Sequence, residues 1–155
     1  MSDAIYRPAR PGEGGEIARM VRQLAQDIGA STVPRVTADD LEALAFGPNP
    51  LLFMHMVEVD ARAVGTIVCE LIYSTWRGAL GLYVCDLHID APWRGRGLGI
   101  GLLRAARDDH PRAAFFKLEV TDDNEAARRF YRRHGFEMHH DERTFVLSGD
   151  DYRRL

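Results

Sequence analysis

Four glycines at alternate positions, together with two arginines, mark the stretch DAPWRGRGLGIGLLRAA, residues 90–106: Gly95, Gly97, Gly99, Gly101, Arg94 and Arg96. The first backbone N–H groups of a helix lack acceptors within the helix and carry partial positive charge, which suits an anion. Glycines let a phosphate approach the backbone closely, and arginines add positive charge at the rim. The stretch therefore predicts a phosphate-binding turn at the start of a helix.

Two common phosphate-binding motifs do not fit this stretch. The dinucleotide fingerprint G-x-G-x-x-G needs glycine where the sequence has Ile100 or Leu102. A P-loop needs Gly-Lys followed by Ser or Thr, which the sequence does not contain. Another phosphate ligand and a glycine-rich turn without a ligand both stay open at this point.

Strand-like and helix-like runs follow one another in the order β-α-α-β-β-β-α-β-α-β-β. Residues 14–29 have helical apolar spacing, and Thr37 with Asp40 forms a capping box that begins a second helix ending at Gly47. The predicted strands are IYRP, LLFMHMVEVD, AVGTIVCELIYS, ALGLYVCDLHID, AAFFKLEV, FEMHH and RTFVLSG. The runs LLFMHMVEVD and AVGTIVCELIYS, joined near DARA, are predicted to form a hairpin. The predicted fold class is α/β, with a mixed central sheet of about seven strands flanked by about four helices.

Length and composition favour one domain spanning residues 1–155, because 46% of the residues are hydrophobic. The net charge of −3 and the absence of a long apolar run predict no nucleic-acid and no membrane partner. The N-terminus lacks the apolar core of a signal peptide, which predicts a cytoplasmic protein.

Cys69 and Cys85 lie in apolar runs and are predicted to be small buried residues with free thiols. No metal site is predicted.

Two motifs resemble those of the GNAT family of acetyl-coenzyme A-dependent N-acetyltransferases. RGRGLG resembles the signature R/Q-x-x-G-x-G/A, in which Arg94, Gly97 and Gly99 fill the fixed positions. NEAARRFYRRHGF resembles N-x-x-A-x-x-x-Y-x-x-x-G-F, with the fixed positions Asn124, Ala127, Tyr131, Gly135 and Phe136. IYRPA, LAFGPNPLLFMHMVE and RTFVLSGDDYRRL resemble the diamine and thialysine acetyltransferase branch of this family.

The resemblance implies the GNAT fold and acetyl-CoA as cosubstrate. The signature-loop amides would hold the pyrophosphate, and the pantetheine arm would pair with the backbone where the strand ALGLYVCDLHID splays. The implied cofactor-binding residues are Leu87, His88, Ile89, Arg94, Gly95, Arg96, Gly97, Leu98, Gly99, Ile100, Asn124, Ala127 and Tyr131. Asn124 could instead cap a helix, but a capping box of Asp122 with Glu125 would leave it available for the arm.

Tyr131 is the implied proton donor to the thiolate that leaves the thioester, and packing against Ala127 and Phe130 is the alternative. The branch has a Glu-Asp pair where this sequence has Cys85 and Asp86, so one carboxylate is missing.

Asp86 is the first candidate to accept the proton of the amine, and His88 and Glu119 are weaker candidates. The alternative for Asp86 is an ion pair with an arginine, and the alternative for Cys85 is an acetyl-carrying nucleophile. Strand alternation places Asp86 and His88 on one face, unless a β-bulge breaks the alternation.

The predicted function is direct acetyl transfer to a primary amine of a small molecule, either a diamine, a polyamine or an amino-acid-like compound. In the family, the segment LAQDIGASTVPRVTADD usually forms the substrate wall, and its acids are Asp27, Asp39 and Asp40. A wall with so few acids suits a small amine at least as well as a polyamine. The alternatives are an acetyl-CoA-binding sensor or regulatory domain without turnover, and a protein lysine or N-terminal acetyltransferase. The resemblance also implies a homodimer through RTFVLSGDDYRRL.

Overall fold

The structure is a computed structural model that describes residues 3–155. The chain divides into two compact units, Met1–Glu119 and Val120–Leu155. The strands, all in the first unit, are β1 Ile5–Pro8, β2 Leu52–Val59, β3 Arg62–Ser74, β4 Ala79–Ile89 and β5 Ala113–Lys117. The helices are α1 Gly14–Asp27, α2 Ala38–Phe46 and α3 Leu98–Asp108 in the first unit, and α4 Glu125–Arg133 and α5 Gly149–Arg154 in the second. A short 3-10 helix, Ala91–Trp93, precedes α3.

The sheet has the strand order β1-β2-β3-β4-β5, which confirms the predicted mixed α/β architecture. Strands β1 to β4 pair antiparallel, and β5 pairs parallel with β4. The predicted hairpin of β2 and β3 is present, and so is the predicted capping box of Thr37 and Asp40 at the start of α2. That the whole chain is one domain stays a prediction.

Helices cover both faces of the sheet. Helix α1 buries Ile17, Met20 and Val21, whose spacing places them on one helix face, against Met56 of β2 and Val68 of β3.

Helix α3 packs on the opposite face, where His55 of β2 lies 2.6 Å from a carboxylate oxygen of Asp109. His55 follows Met54 in the strand, and Met54 belongs to the core beneath α1, so alternation directs the two residues to opposite faces. The two helical layers therefore hold the sheet between them.

The sheet has five strands in the described residues, and the predicted final pair, FEMHH and RTFVLSG, does not form. Phe145 and Val146 are 96% and 80% exposed. A strand needs a hydrogen-bonded neighbour and a covered face, and an alternating pattern by itself supplies neither. The segment is followed by α5, which the sequence did not predict.

A β-bulge interrupts β4 on the side that pairs with β3. Val84 lies opposite Cys69, and Asp86 lies opposite Val68, so Cys85 is an extra residue in β4. A bulge bends its strand and increases the local twist. The bulge that the sequence left as a possibility therefore lies immediately before Asp86.

Candidate active site

The end of β4 offers an open backbone edge. In the described part of the chain, the register pairs β4 with β5 from Leu80 to Tyr83, and β4 then runs on to Ile89. The pairing ends two residues before the bulged Cys85, whose added twist turns the strand. An unpaired strand edge can hydrogen-bond to an extended, amide-bearing ligand. The predicted arm-binding residues Leu87, His88 and Ile89 lie in this open stretch.

Helix α3 begins with backbone N–H groups that lack a side-chain cap. Its N-cap is Gly97, and the first amide that bonds back into the helix is that of Gly101, 3.2 Å from the Gly97 carbonyl oxygen. The preceding amides are those of Leu98, Gly99 and Ile100, which overlap the predicted pyrophosphate-binding amides of Gly95 to Gly99, with Ile100 close by. Uncapped amides at a helix N-terminus form a site for an anion.

Two of the four glycines are required by backbone conformation, and a third is required by packing. Gly95 and Gly97 have φ values of 73° and 77°, which other residues rarely adopt. A Cβ on Gly101 would lie 2.2 Å from the ring of Tyr6, so this glycine lets β1 pack closely on α3. Gly101 was not among the predicted cofactor-binding residues, and its packing role follows from the structure alone.

The two signature arginines make contacts within the protein. The Arg94 Nε donates a hydrogen bond to the Ile89 carbonyl oxygen at 2.8 Å, and its guanidinium forms an ion pair with Asp27 of α1. The Arg96 guanidinium donates to the Pro92 carbonyl oxygen at 3.1 Å and lies over the Trp93 ring, 4.8 Å from its centre. Both positive charges stay beside the loop, and their contact with a phosphate stays a prediction.

Asp86 and His88 lie on the same face of β4, as strand alternation predicted. They pair with Val68 and Thr66 of β3, and Val68 belongs to the core beneath α1. The bulge does not disturb this relation, because its extra residue precedes Asp86.

Asp86 is half-buried and forms no ion pair with an arginine in residues 3–155, which argues against its predicted structural alternative. Burial raises the pKa of the Asp86 carboxyl. A carboxylate with a raised pKa is a better proton acceptor near neutral pH, so this environment suits a general base.

Cys85 is exposed, and the prediction that both cysteines are buried is correct only for Cys69. The bulge removes Cys85 from the alternation that governs its neighbours. Partial desolvation and the nearby carboxylates of Glu70 and Asp86 raise the pKa of the Cys85 thiol to about 11. The thiol is therefore protonated at neutral pH, which disfavours Cys85 as a nucleophile.

His88 is enclosed by carboxylates. Its side chain is 1% exposed, and its Nε2 lies 3.0 Å from an oxygen of Asp90. The other ring nitrogen, Nδ1, lies 3.9 Å from an oxygen of Asp27. Such an enclosed ring is a poor candidate for direct contact with an amine, while its backbone stays in the open stretch of β4.

Sequence reasoning missed Glu70 and Tyr83, which form a direct cross-strand pair between β3 and β4. Burial and the charges of Glu119, Cys85, Glu70 and Asp86 raise the pKa of Tyr83. The sequence contained one indication that Glu70 has a special role, because it is the only charged residue in the run AVGTIVCELIYS.

In the second unit, Asn124 caps helix α4. Its side-chain oxygen accepts a hydrogen bond from the Ala127 backbone N–H at 3.1 Å. The prediction that Asp122 and Glu125 would cap this helix is wrong, because α4 begins at Glu125 and the N-cap is the residue before it. A ligand role for Asn124 and Ala127 stays a prediction.

Tyr131 packs among aromatic rings in the second unit. The ring centres of Phe130 and Phe136 both lie 5.1 Å from that of Tyr131, in edge-to-face geometry. The alternative to a catalytic role was packing of Tyr131 against Ala127 and Phe130, and the contact with Phe130 is present. The ring of Tyr131 therefore has a structural role, which is independent of any role of its hydroxyl group. The catalytic role of Tyr131 stays a prediction.

Residues 3–155 contain neither a metal-binding cluster nor a membrane-spanning helix. No cluster of three or more histidine, cysteine or acidic side chains is arranged to hold a metal ion. No helix in the same residues combines the length and the apolar character needed to cross a membrane.

An open strand edge that leads into an uncapped helix N-terminus is the arrangement expected of an acetyl-CoA site. Residues 18–136 match the Acetyltransferase (GNAT) family. The chain belongs to this family of acetyltransferases, whose members use acetyl-CoA as cosubstrate.

Similar proteins include two mammalian enzymes. The chain is 28% identical over 145 residues to the thialysine N-epsilon-acetyltransferase of Sus scrofa, covering 87% of this chain and 85% of that protein. It is also 28% identical over 142 residues to the Mus musculus protein of the same name, covering 85% and 83%.

The fold is similar to that of a solved aminoglycoside acetyltransferase from an uncultured soil metagenomic sample, in complex with sisomicin, with a TM-score of 0.74. The two sequences are 13% identical, and the match covers 94% of this chain and 97% of that chain. This likeness confirms the predicted GNAT fold.

Proposed function

We propose that this protein transfers the acetyl group of acetyl-CoA directly to a primary amine of a small molecule. The observation that carries the proposal is the open edge of β4, which continues through one short loop into the uncapped start of α3. The edge suits the amide-bearing pantetheine arm, and the helix start suits the pyrophosphate. The residues proposed to contact acetyl-CoA are the cofactor-binding residues that the two GNAT-like motifs imply.

The reaction requires a proton acceptor and a proton donor. An alkylammonium group loses a proton to Asp86, directly or through water, and the neutral nitrogen attacks the thioester carbonyl carbon. A C–N bond forms, the C–S bond breaks, and the electron pair leaves on sulfur. Tyr131 gives the thiolate its proton and regains one from the acylated nitrogen. The raised pKa of Asp86 supports its role, and the motif match supports that of Tyr131.

A small amine or an amino-acid-like acceptor is favoured over a polyamine. Of the three acids in the predicted substrate wall, Asp27 is paired with Arg94, and Asp40 is used in the capping box of α2. A polyamine has several dispersed charges, which need several uncommitted carboxylates. The names of the mammalian relatives, which specify thialysine, also support an amino-acid-like acceptor.

The test is acetyl-CoA-dependent release of free thiol with spermidine, putrescine, thialysine, lysine, an aminoglycoside and a short peptide. We expect saturable release with thialysine, lysine or putrescine and a smaller kcat/KM for spermidine. Gly97→Val serves as the internal control, because its backbone conformation is unfavourable for valine and acetyl-CoA binding should weaken.

Three other results would contradict part or all of the proposal. A preference for spermidine would overturn the proposed acceptor class. A preference for the peptide would favour a protein acetyltransferase. Binding of acetyl-CoA without release for any amine would favour a sensor domain, and Cys85 in place of a carboxylate would then explain the missing turnover.

We also propose a homodimer in the cytoplasm. The exposed apolar side chains of Phe145, Val146 and Leu147 support a second copy as the partner that covers them. The free thiols of Cys69 and Cys85 support a reducing compartment. Sedimentation equilibrium of the wild type and of Phe145→Ser tests the assembly, and a monomeric wild type would overturn it.

A further inference from the structure

The bulge in β4 gathers polar side chains on one face of the sheet. Glu70 pairs with Tyr83, and Val68, two residues before Glu70 in β3, pairs with Asp86. Paired residues and residues two apart share a face, so Glu70, Tyr83 and Asp86 lie on the same side. Cys85, the extra residue, lies between the two pairs.

Carboxylates dominate the electrostatic environment at the bulge, and among the described residues the one cation paired with this stretch is the exposed Lys117 of β5, opposite Tyr83. The carboxylates of Glu70 and Asp86 both oppose ionisation of the Cys85 thiol. The same two carboxylates and Glu119 oppose ionisation of Tyr83. Glu70 itself is half-buried on β3, in a run with no other charged residue. This potential disfavours an anion and favours a cation at the same place.

We propose that Glu70 binds the ammonium group of the acceptor and is therefore a substrate-contacting residue of the active site. The inference rests on the proposed acetyl transfer and adds to it a residue from β3. Glu70 holds the cationic nitrogen beside the bulge, and Asp86 removes its proton before attack. The two roles follow from geometry. Asp86 lies in the open stretch of β4, whereas Glu70 lies on β3 opposite Tyr83, the residue at which the pairing of β4 with β5 ends.

The main variant is Glu70→Gln, which removes the charge and keeps the shape. A charge-assisted hydrogen bond is roughly twice as strong as a neutral one, so we expect the KM for the amine to rise about 10-fold or more. The KM for acetyl-CoA should stay within about 2-fold, since Glu70 lies on β3 and not on the open edge. Glu137→Gln, an exposed glutamate outside the sheet, is the matched control and should leave both constants unchanged.

Two further variants keep the test decisive. Adding Cys85→Glu to Glu70→Gln returns a carboxylate to the same place from the other strand, and should recover at least part of the lost amine affinity. Cys85→Lys leaves Glu70 intact but offers it a competing cation, and should raise the amine KM even if Glu70→Gln folds poorly.

The inference fails if Glu70→Gln leaves the amine KM within about 2-fold of wild type. It also fails if the KM values for amine and acetyl-CoA rise together, which would indicate a structural role, or if Cys85→Lys has no effect. A wild type that acetylates no amine contradicts the proposed function itself. An active wild type with an unaffected Glu70→Gln contradicts only the role of Glu70.

Discussion

Asp27 at the end of α1 forms an ion pair with Arg94 of the signature loop, and Arg94 also donates to the Ile89 carbonyl oxygen at the end of β4. Although burial opposes its ionisation, hydrogen bonds from Gln23 and Arg94 lower the pKa of Asp27. The contact joins the loop that is predicted to hold the pyrophosphate to the end of α1, where the predicted substrate wall begins.

Asp27→Asn should therefore weaken acetyl-CoA binding without removing any residue that contacts the cofactor. Loss of the ion pair leaves the loop less ordered before binding, and we expect the KM for acetyl-CoA to rise about 3- to 10-fold. Titration calorimetry with coenzyme A checks the effect, and exposed Asp141→Asn is the control. Equal affinity in the wild type and Asp27→Asn would show that the ion pair does not order the loop.

Asp86→Asn should reduce activity and increase stability. Loss of a general base lowers kcat by roughly 100-fold. Because burial raises the pKa of Asp86 in the folded state, the folded protein binds this proton more tightly than the unfolded chain. Wild-type Asp86 thus costs stability at neutral pH, and this cost disappears as pH falls through its raised pKa.

Denaturant unfolding at several pH values measures this effect. We expect Asp86→Asn to have a larger free energy of unfolding than the wild type at pH 7. This difference between the two proteins should disappear towards about pH 4. A difference that is independent of pH would contradict the assignment. In the wild type, kcat/KM should fall with pH over the same interval as Asp86 becomes protonated.

Cys85→Ser should keep kcat within about 3-fold of wild type, because a thiol with a pKa of about 11 is protonated at neutral pH and does not act as a nucleophile. Mass spectrometry of the wild type after mixing with acetyl-CoA alone should find no acetyl group on Cys85. An acetylated Cys85 that disappears on adding amine would instead establish a covalent pathway.

Tyr131→Phe should lower kcat by about 100-fold while acetyl-CoA affinity changes little. The substitution keeps the ring that packs between Phe130 and Phe136, so the folded second unit should persist. Steady-state kinetics with a coenzyme titration checks both expectations. Phe130→Leu, a change in the same aromatic group that keeps the hydroxyl, is the comparison, and equal turnover in Tyr131→Phe and wild type would remove the assigned role.

Gly101→Ala should destabilise the protein by about 1–3 kcal/mol, since the new methyl group would overlap the Tyr6 ring at 2.2 Å. Gly15→Ala in α1 is the matched control, because the nearest atom to its new Cβ is 3.9 Å away. Alanine favours helices by up to about 1 kcal/mol over glycine, so this control should stabilise. Thermal unfolding of both variants separates the two effects, and two changes of the same sign would contradict the packing argument.

The sequence predicted best the features that depend on neighbours along the chain. The capping box of Thr37 and Asp40 is complete within one helical turn, and the β2–β3 hairpin is set by adjacent segments. The helix start at Gly97 is a local feature too. Such contacts need no knowledge of the rest of the fold, which is why local pattern is sufficient to find them.

The predictions that failed depend on distant partners or on an exact residue count. Val146 is exposed because a strand pattern does not specify a neighbouring strand. Asn124 caps α4 because the helix begins at Glu125, and a shift of a few residues changes the cap. Glu70 entered the site only once the register of β3 and β4 was known, since its position follows from pairing with Tyr83.

The bulge at Cys85 also has a consequence for how the protein can change over time. The ladder requires one additional residue between Val84 and Asp86, and none of its pairings involves the side chain of that residue. Substitution at position 85 therefore leaves the orientation of Asp86 and the open edge of β4 as they are. The fold thus allows diverse side chains beside the proposed amine site, and single substitutions there should change substrate preference with little loss of stability.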